Sequence, residues 1–342
     1  MRLSGFCSAA LLLLAASLAH AQTPSFDCTR AATTREYAVC DNTSLRKLDG
    51  EMGKEFSRVH RGVPEPASAA VLADQRAWLA GLDASCTAKP NAQPAFITCL
   101  TDEYKARLNE LTQDKPLDDD HWLITTRAGG DMRPIILTPS PSEQTWNHAI
   151  AAQISHRSAD ANKELASCRK EATGEGGDTV DNMDVDAWWH IAGANTHIIV
   201  TKFTLQEYCG GAHPSTTFED WNWSLDLNRP LAPDDVLISS SGWQSLVIAA
   251  ATSQLNSDYP DTASYRWKDK EFSDGMNQAV SSTNEWQLTR NGLGIQFQQY
   301  QIASYVFGMP SVCIPWKDLR PYLNPTFNPA QLPASIPDPA DQ

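Results

Sequence analysis

Seven consecutive residues, YCGGAHP from Tyr208 to Pro214, bring together a cysteine, two glycines, a histidine and a proline. A histidine close to a thiol can serve as its base, and paired glycines let a backbone approach a substrate closely. The start of the chain argues against that chemistry. MRLSGFCSAALLLLAASLAHAQ has one arginine, an apolar run too short to span a bilayer, and a small-residue ending at Ala19-His20-Ala21, which reads as a secretory signal peptide over residues 1–21. An exported thiolate is open to oxidation, and a bridge from Cys209 to Cys168 is its simpler fate. The glycines then supply a tight turn, Pro214 blocks strand continuation, and the imidazole satisfies neighbouring backbone groups. The corner is read as shape, with no catalytic residue.

Other catalytic signals are weak. The chain has no His-Glu-x-x-His, Gly-x-Ser-x-Gly, Cys-x-x-Cys or phosphate-cradling glycine loop. Asp178, Asp181, Asp184 and Asp186 miss the spacing of a calcium loop. Glu219 beside Asp220 is not a glycosidase pair without two carboxyls facing each other across a bond. No metal and no cofactor is expected. Trp221 and Trp223, two apart on a strand, share a face; with Glu219, Asp220 and Asp226 around them they could anchor a basic protein surface or stack on a sugar ring. The alternative is a tryptophan-rich core, since ten of the eleven tryptophans follow residue 115.

Charge is lopsided along the chain. Residues 22–115 hold 12 basic and 13 acidic side chains, whereas residues 116–342 hold 14 and 28. That balance disfavours nucleic acid and anionic membranes and favours a cationic partner, or it serves solubility alone. The absence of a second long apolar run predicts a soluble periplasmic or secreted protein. Seven cysteines follow the leader: Cys28, Cys40, Cys86 and Cys99 early, then Cys168, Cys209 and Cys313. Cys313, between Val312 and Ile314 in an apolar strand, is the one expected to stay unpaired, as a buried thiol.

The early part is helical in character. Leu45, Leu48, Met52, Phe56 and Val59 recur at steps of three and four, a GVPEP break follows, and two more helices are expected over about 68–83 and 94–111. Antiparallel packing favours bridges from Cys40 to Cys86 and from Cys28 to Cys99, with other connectivities open. SFDCTRAATTREYAVC, LRKLD, QRAWLAGLDASC and CLTDEYKARLNEL resemble the four-cysteine domain family named after the lysozyme inhibitor LprI. The shared residues include Glu36, Asp49, Gln75, Trp78 and Tyr104, while Leu82 stands where the family commonly has arginine. The resemblance implies a disulfide-stapled helical module.

After a linker, QDKPLDDD, the pattern becomes mixed. A helix is expected over 142–172, then a Gly- and Asp-rich loop, strands at AWWHI, THIIVTKFTLQEY and WNWSLDL, a helix with Trp243, Leu246, Val247 and Ala250, and strands at LGIQFQQYQI and SVCIPW. Leu293, Ile295 and Phe297 alternate, but Tyr300 and Ile302 fall out of phase, which predicts a bulge near Gln298 or Gln299. The result is an α+β domain with a largely antiparallel sheet. YCGGAHP, LDLNRPLAPDDVL and the run from Gln287 to Leu323 resemble the lysozyme-binding extracellular domain of the anti-sigma factor RsiV. The chain departs from that family in showing neither a transmembrane helix nor a sigma-binding segment.

The expected organisation is therefore a signal peptide (1–21), a four-cysteine helical domain (22–115), an α+β domain (116–323) and a proline-rich disordered tail (324–342). The expected function is binding, not catalysis: capture of lysozyme or another cationic cell-wall hydrolase through Gly210, Gly211, His213, Ser215, Thr216, Glu219, Asp220, Trp221, Trp223 and Asp226. His213, Ser215 and Thr216 would donate to the hydrolase's carboxylates. Alternatives are an envelope glycan-binding module built on the paired tryptophans and, more weakly, a wall-active hydrolase.

Overall fold

The computed structural model describes residues 23–65, 67–87, 93–127, 133–172, 183–260 and 270–334. The expected signal peptide, and Asp178 and Asp181 of the acidic loop, lie outside these residues. Two compact units form: one from residues up to Ser57 with Gly81–Leu108, the other from Arg58–Ala80 with Asn109 onward.

Four helices open the chain: α1 (Thr34–Asp41), α2 (Thr43–Gly62), α3 (Ala67–Ser85) and α4 (Gln93–Gln113). The unit borders fall within α2, α3 and α4. The short α1, too brief to show an apolar stripe, starts on a capping box in which Thr33 and Glu36 exchange side-chain and backbone bonds. In the first unit Leu45, Met52, Leu82, Phe96, Leu100 and Tyr104 are buried. Leu82, where the resemblance leads one to look for arginine, is a core residue at 2% exposure. Asp49 is buried and accepts from the Ser25 amide at 2.5 Å. Arg35 pairs with Asp83 at 2.7 Å. Burial, then the Asp49 charge, push the Tyr104 hydroxyl pKa well up.

The bridges are Cys28–Cys40 and Cys86–Cys99, with sequence separations of 12 and 13. This corrects the pairing favoured above. Each bridge closes a local corner, one across the turn into α1 and one from the end of α3 to the second turn of α4, so neither links the segments distant in sequence that the favoured pairing joined.

The second unit continues with β1 (Lys115–Pro116), β2 (Trp122–Thr126), β3 (Arg133–Leu137), α5 (Pro141–Ala172), β4 (Asp184–Ala194), β5 (Ile198–Tyr208), β6 (Ser215–Ser224) and β7 (Arg229–Pro230). It closes with α6 (Pro233–Val236), α7 (Trp243–Asp258), α8 (Lys270–Ser281), β8 (Trp286–Thr289), β9 (Gly292–Gln296), β10 (Ser311–Pro315) and α9 (Trp316–Leu319). The described residues form three sheets, each antiparallel: β1-β2-β3, β4-β5-β6-β7 and β10-β9-β8.

The central sheet is covered on both faces. Ile199, Phe203, Trp221 and Trp223 pack against Trp146, Ile150 and Ile154 of α5. α5 begins where Ser140 and Glu143 bond each other's backbone amides. On the opposite face Ala192, Ile198 and Val200 join α7, α8 and the β8–β10 sheet in the larger core. Buried Asn222 ties the two sheets, donating to the Trp286 carbonyl at 2.7 Å and accepting from the Leu288 amide at 3.4 Å.

Three further expectations are corrected. No bulge restores register after Phe297: β9 ends at Gln296, and residues 298–301 turn with Tyr300 at φ 63°. Cys313 is free as expected but exposed, because alternation sends Val312 and Ile314 inward and the sulfur outward. The tail holds a fixed path from Asn324 to Ala334: Leu332 is 3% exposed within the core, and the Pro333 carbonyl accepts from the Arg290 amide at 2.9 Å.

Candidate binding corner and groove

The YCGGAHP corner is the β5–β6 turn. Gly210 and Gly211 sit at φ 93° and 97°, values that penalise any side chain. Cys209 is bridged to Cys168 of α5, fastening the corner to the helix, and the Tyr208 hydroxyl donates to the Gly211 carbonyl at 3.1 Å. With both sulfurs in a disulfide, the neighbouring Glu164 gains no metal-binding partners from them.

His213 is spent inside the fold. Its Nδ1 lies 3.1 Å from the Pro214 carbonyl, which requires an N–H there, so Nε2 accepts from the Tyr300 hydroxyl at 2.9 Å. The ring stacks on Tyr305 with centroids 3.6 Å apart. His213 thus clasps the corner to the 300–307 turn and is no free donor. Thr216 is buried, and its amide donates to Gln299 Oε1 at 2.9 Å. Phe218 exchanges two bonds with the Gln298 side chain.

The expected aromatic anchor is absent from the surface. Trp221 and Trp223 are 9% and 5% exposed, with ring centroids 4.9 Å apart inside the α5-side core. Asp220, on the opposite face, is 1% exposed and aligned across β5 with Lys202. These three residues can touch no partner, and the glycan reading built on the paired indoles loses its residues. Glu219 pairs with Arg157 of α5, and Asp226 bonds His197 at 2.9 Å on a different part of the unit. What the corner does present is Gly210, Gly211 and half-buried Ser215, together with Tyr300 (50% exposed) and Val306 (80%). Tyr300 escapes the sequence analysis because the run to Ile302 scans as strand, and Tyr305 and Val306 because they fall between two expected strands. The turn signal is the loss of alternation itself.

The acids are spread over several places. Asp114, Asp220 and Glu285 are buried, Asp235 is held by Arg229 through two 2.7 Å bonds, and exposed Asp274 meets Lys270. Two acidic pairs lie where β4 begins and β5 ends: Asp184 and Asp186 on one face of the sheet, Glu207 with Glu164 on the α5 face. Burial and then Asp184 raise the Asp186 pKa; burial and then Glu164 raise that of Glu207. Beside the second pair, between α5 and the sheet, lies a cavity of about 320 Å³ that includes Arg157, Trp189, Phe203 and Glu219.

The family model described as lysozyme inhibitor LprI matches residues 27–111, and that of a protein of unknown function, DUF3298, matches residues 234–317. No curated protein matches the chain. Among solved structures it is similar to a DUF3298 family member from Bacteroides fragilis, at 16% identity over 60% of this chain and 92% of that one, with a TM-score of 0.44. It is also similar to a DUF3298 family protein from Pseudomonas aeruginosa, at 14% identity over 63% and 97%, with a TM-score of 0.37. Residues 27–111, four helices closed by two disulfides, thus match the LprI family in sequence, and they precede an antiparallel α+β region whose residues 234–317 match DUF3298.

Proposed function

We propose that the chain is an exported, lysozyme-inhibitor-like binding protein that captures a cationic cell-wall hydrolase of the lysozyme type. The observation that carries this reading is the match of residues 27–111 to the lysozyme inhibitor LprI family. The three disulfides among the described residues suit an oxidising compartment, and no described helix is long and apolar enough to cross a membrane. The second unit contributes a shaped corner: a glycine turn held by the Cys168–Cys209 bridge and the His213 clasp, beside outward-facing Tyr300 and Val306. Aromatic and apolar groups fixed in this way are typical anchors of protein interfaces. The chain's net charge of -14 steers a basic partner toward it. Equilibrium titration of the mature protein with hen-type lysozyme, read alongside lysis of a cell-wall suspension, tests the reading. Binding at micromolar concentration or tighter is expected; no complex at that concentration overturns it.

A further inference from the structure

The cavity beside Glu164 and Glu207 is a built groove. Its floor is Trp189, Phe203 and Leu205, which share one face of the sheet by two-residue alternation and β4–β5 pairing. Its wall is α5, from Ile154 to Asp160. Arg157 reaches across to pair with Glu219, and its guanidinium carbon lies 6.0 Å from the Phe203 ring centroid. One feature points to an occupant. One rung beyond Leu205, Glu207 faces the same side as the floor, and Glu164, seven residues along α5 from Arg157, brings a carboxylate oxygen within 4.8 Å of the sulfur of Cys209, two residues on from Glu207. Among the cavity-lining residues Arg157 is the only lysine or arginine, and it is already paired. Asp160 has His156 Nδ1 at 3.0 Å.

We propose that this groove grips a basic peptide segment of the captured protein. The alkyl stem of a lysine or arginine lies over Trp189 and Phe203, and its cationic head sits between Glu164 and Glu207. The inference rests on the reading of the chain as a captor of a cationic protein, and it names the part held. A cation between the two glutamates relieves their mutual repulsion, which a neutral sugar does not.

The test uses the full mature chain, ¹⁵N-labelled, with the Trp189 indole signal assigned through Trp189→Phe. The probes are a capped tripeptide with one lysine between two leucines, the same peptide with that lysine acetylated, and chitotriose. The lysine peptide should shift the Trp189 indole saturably. Acetylation, or the pair Glu164→Gln with Glu207→Gln, should weaken binding about fivefold. Ala187→Trp, which fills the groove mouth, should abolish peptide binding and weaken lysozyme binding about tenfold. Its unfolding midpoint is measured alongside, and the glutamine pair decides if it does not fold. An unmoved indole, equal binding of the acetylated peptide, or chitotriose binding in its place overturns the proposal. Lysozyme bound equally well by Ala187→Trp and by the glutamine pair overturns the groove's role and leaves the capture reading standing. Peptide bound with lysozyme ignored gives the converse: the groove chemistry holds and the partner is wrong.

Discussion

Glu285 shows how a single residue sets a pH response. Its side chain is 5% exposed; Oε1 accepts from Gln301 Nε2 at 3.1 Å, while Oε2 has no donor among the described residues. Burial pushes its pKa up, and the Gln301 bond only partly opposes that. A carboxyl with a raised folded pKa binds its proton more tightly in the native state. Its favourable contribution is full below the unfolded value and is lost as pH rises through the folded one. Glu285→Gln keeps the acceptor and removes the charge. It should stabilise the protein by about 1 kcal/mol at pH 7, with the advantage shrinking as the solution is acidified toward pH 4; urea unfolding at both pH values checks this. Surface residues of the corner should behave differently. Val306→Asp should leave the unfolding midpoint within a few degrees while weakening lysozyme binding about tenfold or more, measured by calorimetry.

At the scale of elements, the closing segment is a fastener. Leu332 sits in the core, Asn195 Nδ2 donates to the Gln331 carbonyl at 2.7 Å, and Asn324 donates its amide to the Val236 carbonyl at 2.9 Å. Ending the chain after Leu323 should cost about 2–4 kcal/mol, since it removes a buried leucine and leaves backbone groups unmet. Thermal melts of that truncation beside the full chain check this. The sequence points to disorder here for a physical reason: proline content and polarity describe a chain in isolation, whereas Leu332 is ordered by a core assembled from residues far away in sequence. The same distinction runs through the rest of the fold. The α2, α3, α4 and α5 stripes are legible because helical burial repeats at short range, and the Cys168–Cys209 bridge because an exported thiol tends to oxidise and the apolar strand around Cys313 sets that cysteine apart. Alternation places Trp221 and Trp223 on one face, but only the position of α5 decides that this face is interior. The sequence offers His213 both as a backbone-bonded corner residue and as a donor to a partner; its contacts with Tyr300 and Tyr305 are not legible there, since Tyr300 is 87 residues away in the chain and Tyr305 farther still.

For the whole molecule, the acids are better understood as a diffuse field than as a receptor face. A net charge of -14 acts over roughly a Debye length, about 10 Å at 0.1 M salt. Stopped-flow association with lysozyme should therefore slow about tenfold between 50 and 300 mM salt while dissociation changes little; equal sensitivity of both rates would place the charges inside the contact instead. The glutamines that follow β9 have a last consequence, for how copies of the protein behave toward one another. Gln298 and Gln299 occupy the amide and carbonyl groups that β6 would otherwise offer to a passing strand, so two side-chain amides impersonate a neighbour. Concentrated stocks should stay monomeric for that reason, and replacing both glutamines with alanine would leave a template on which chains could begin to polymerise.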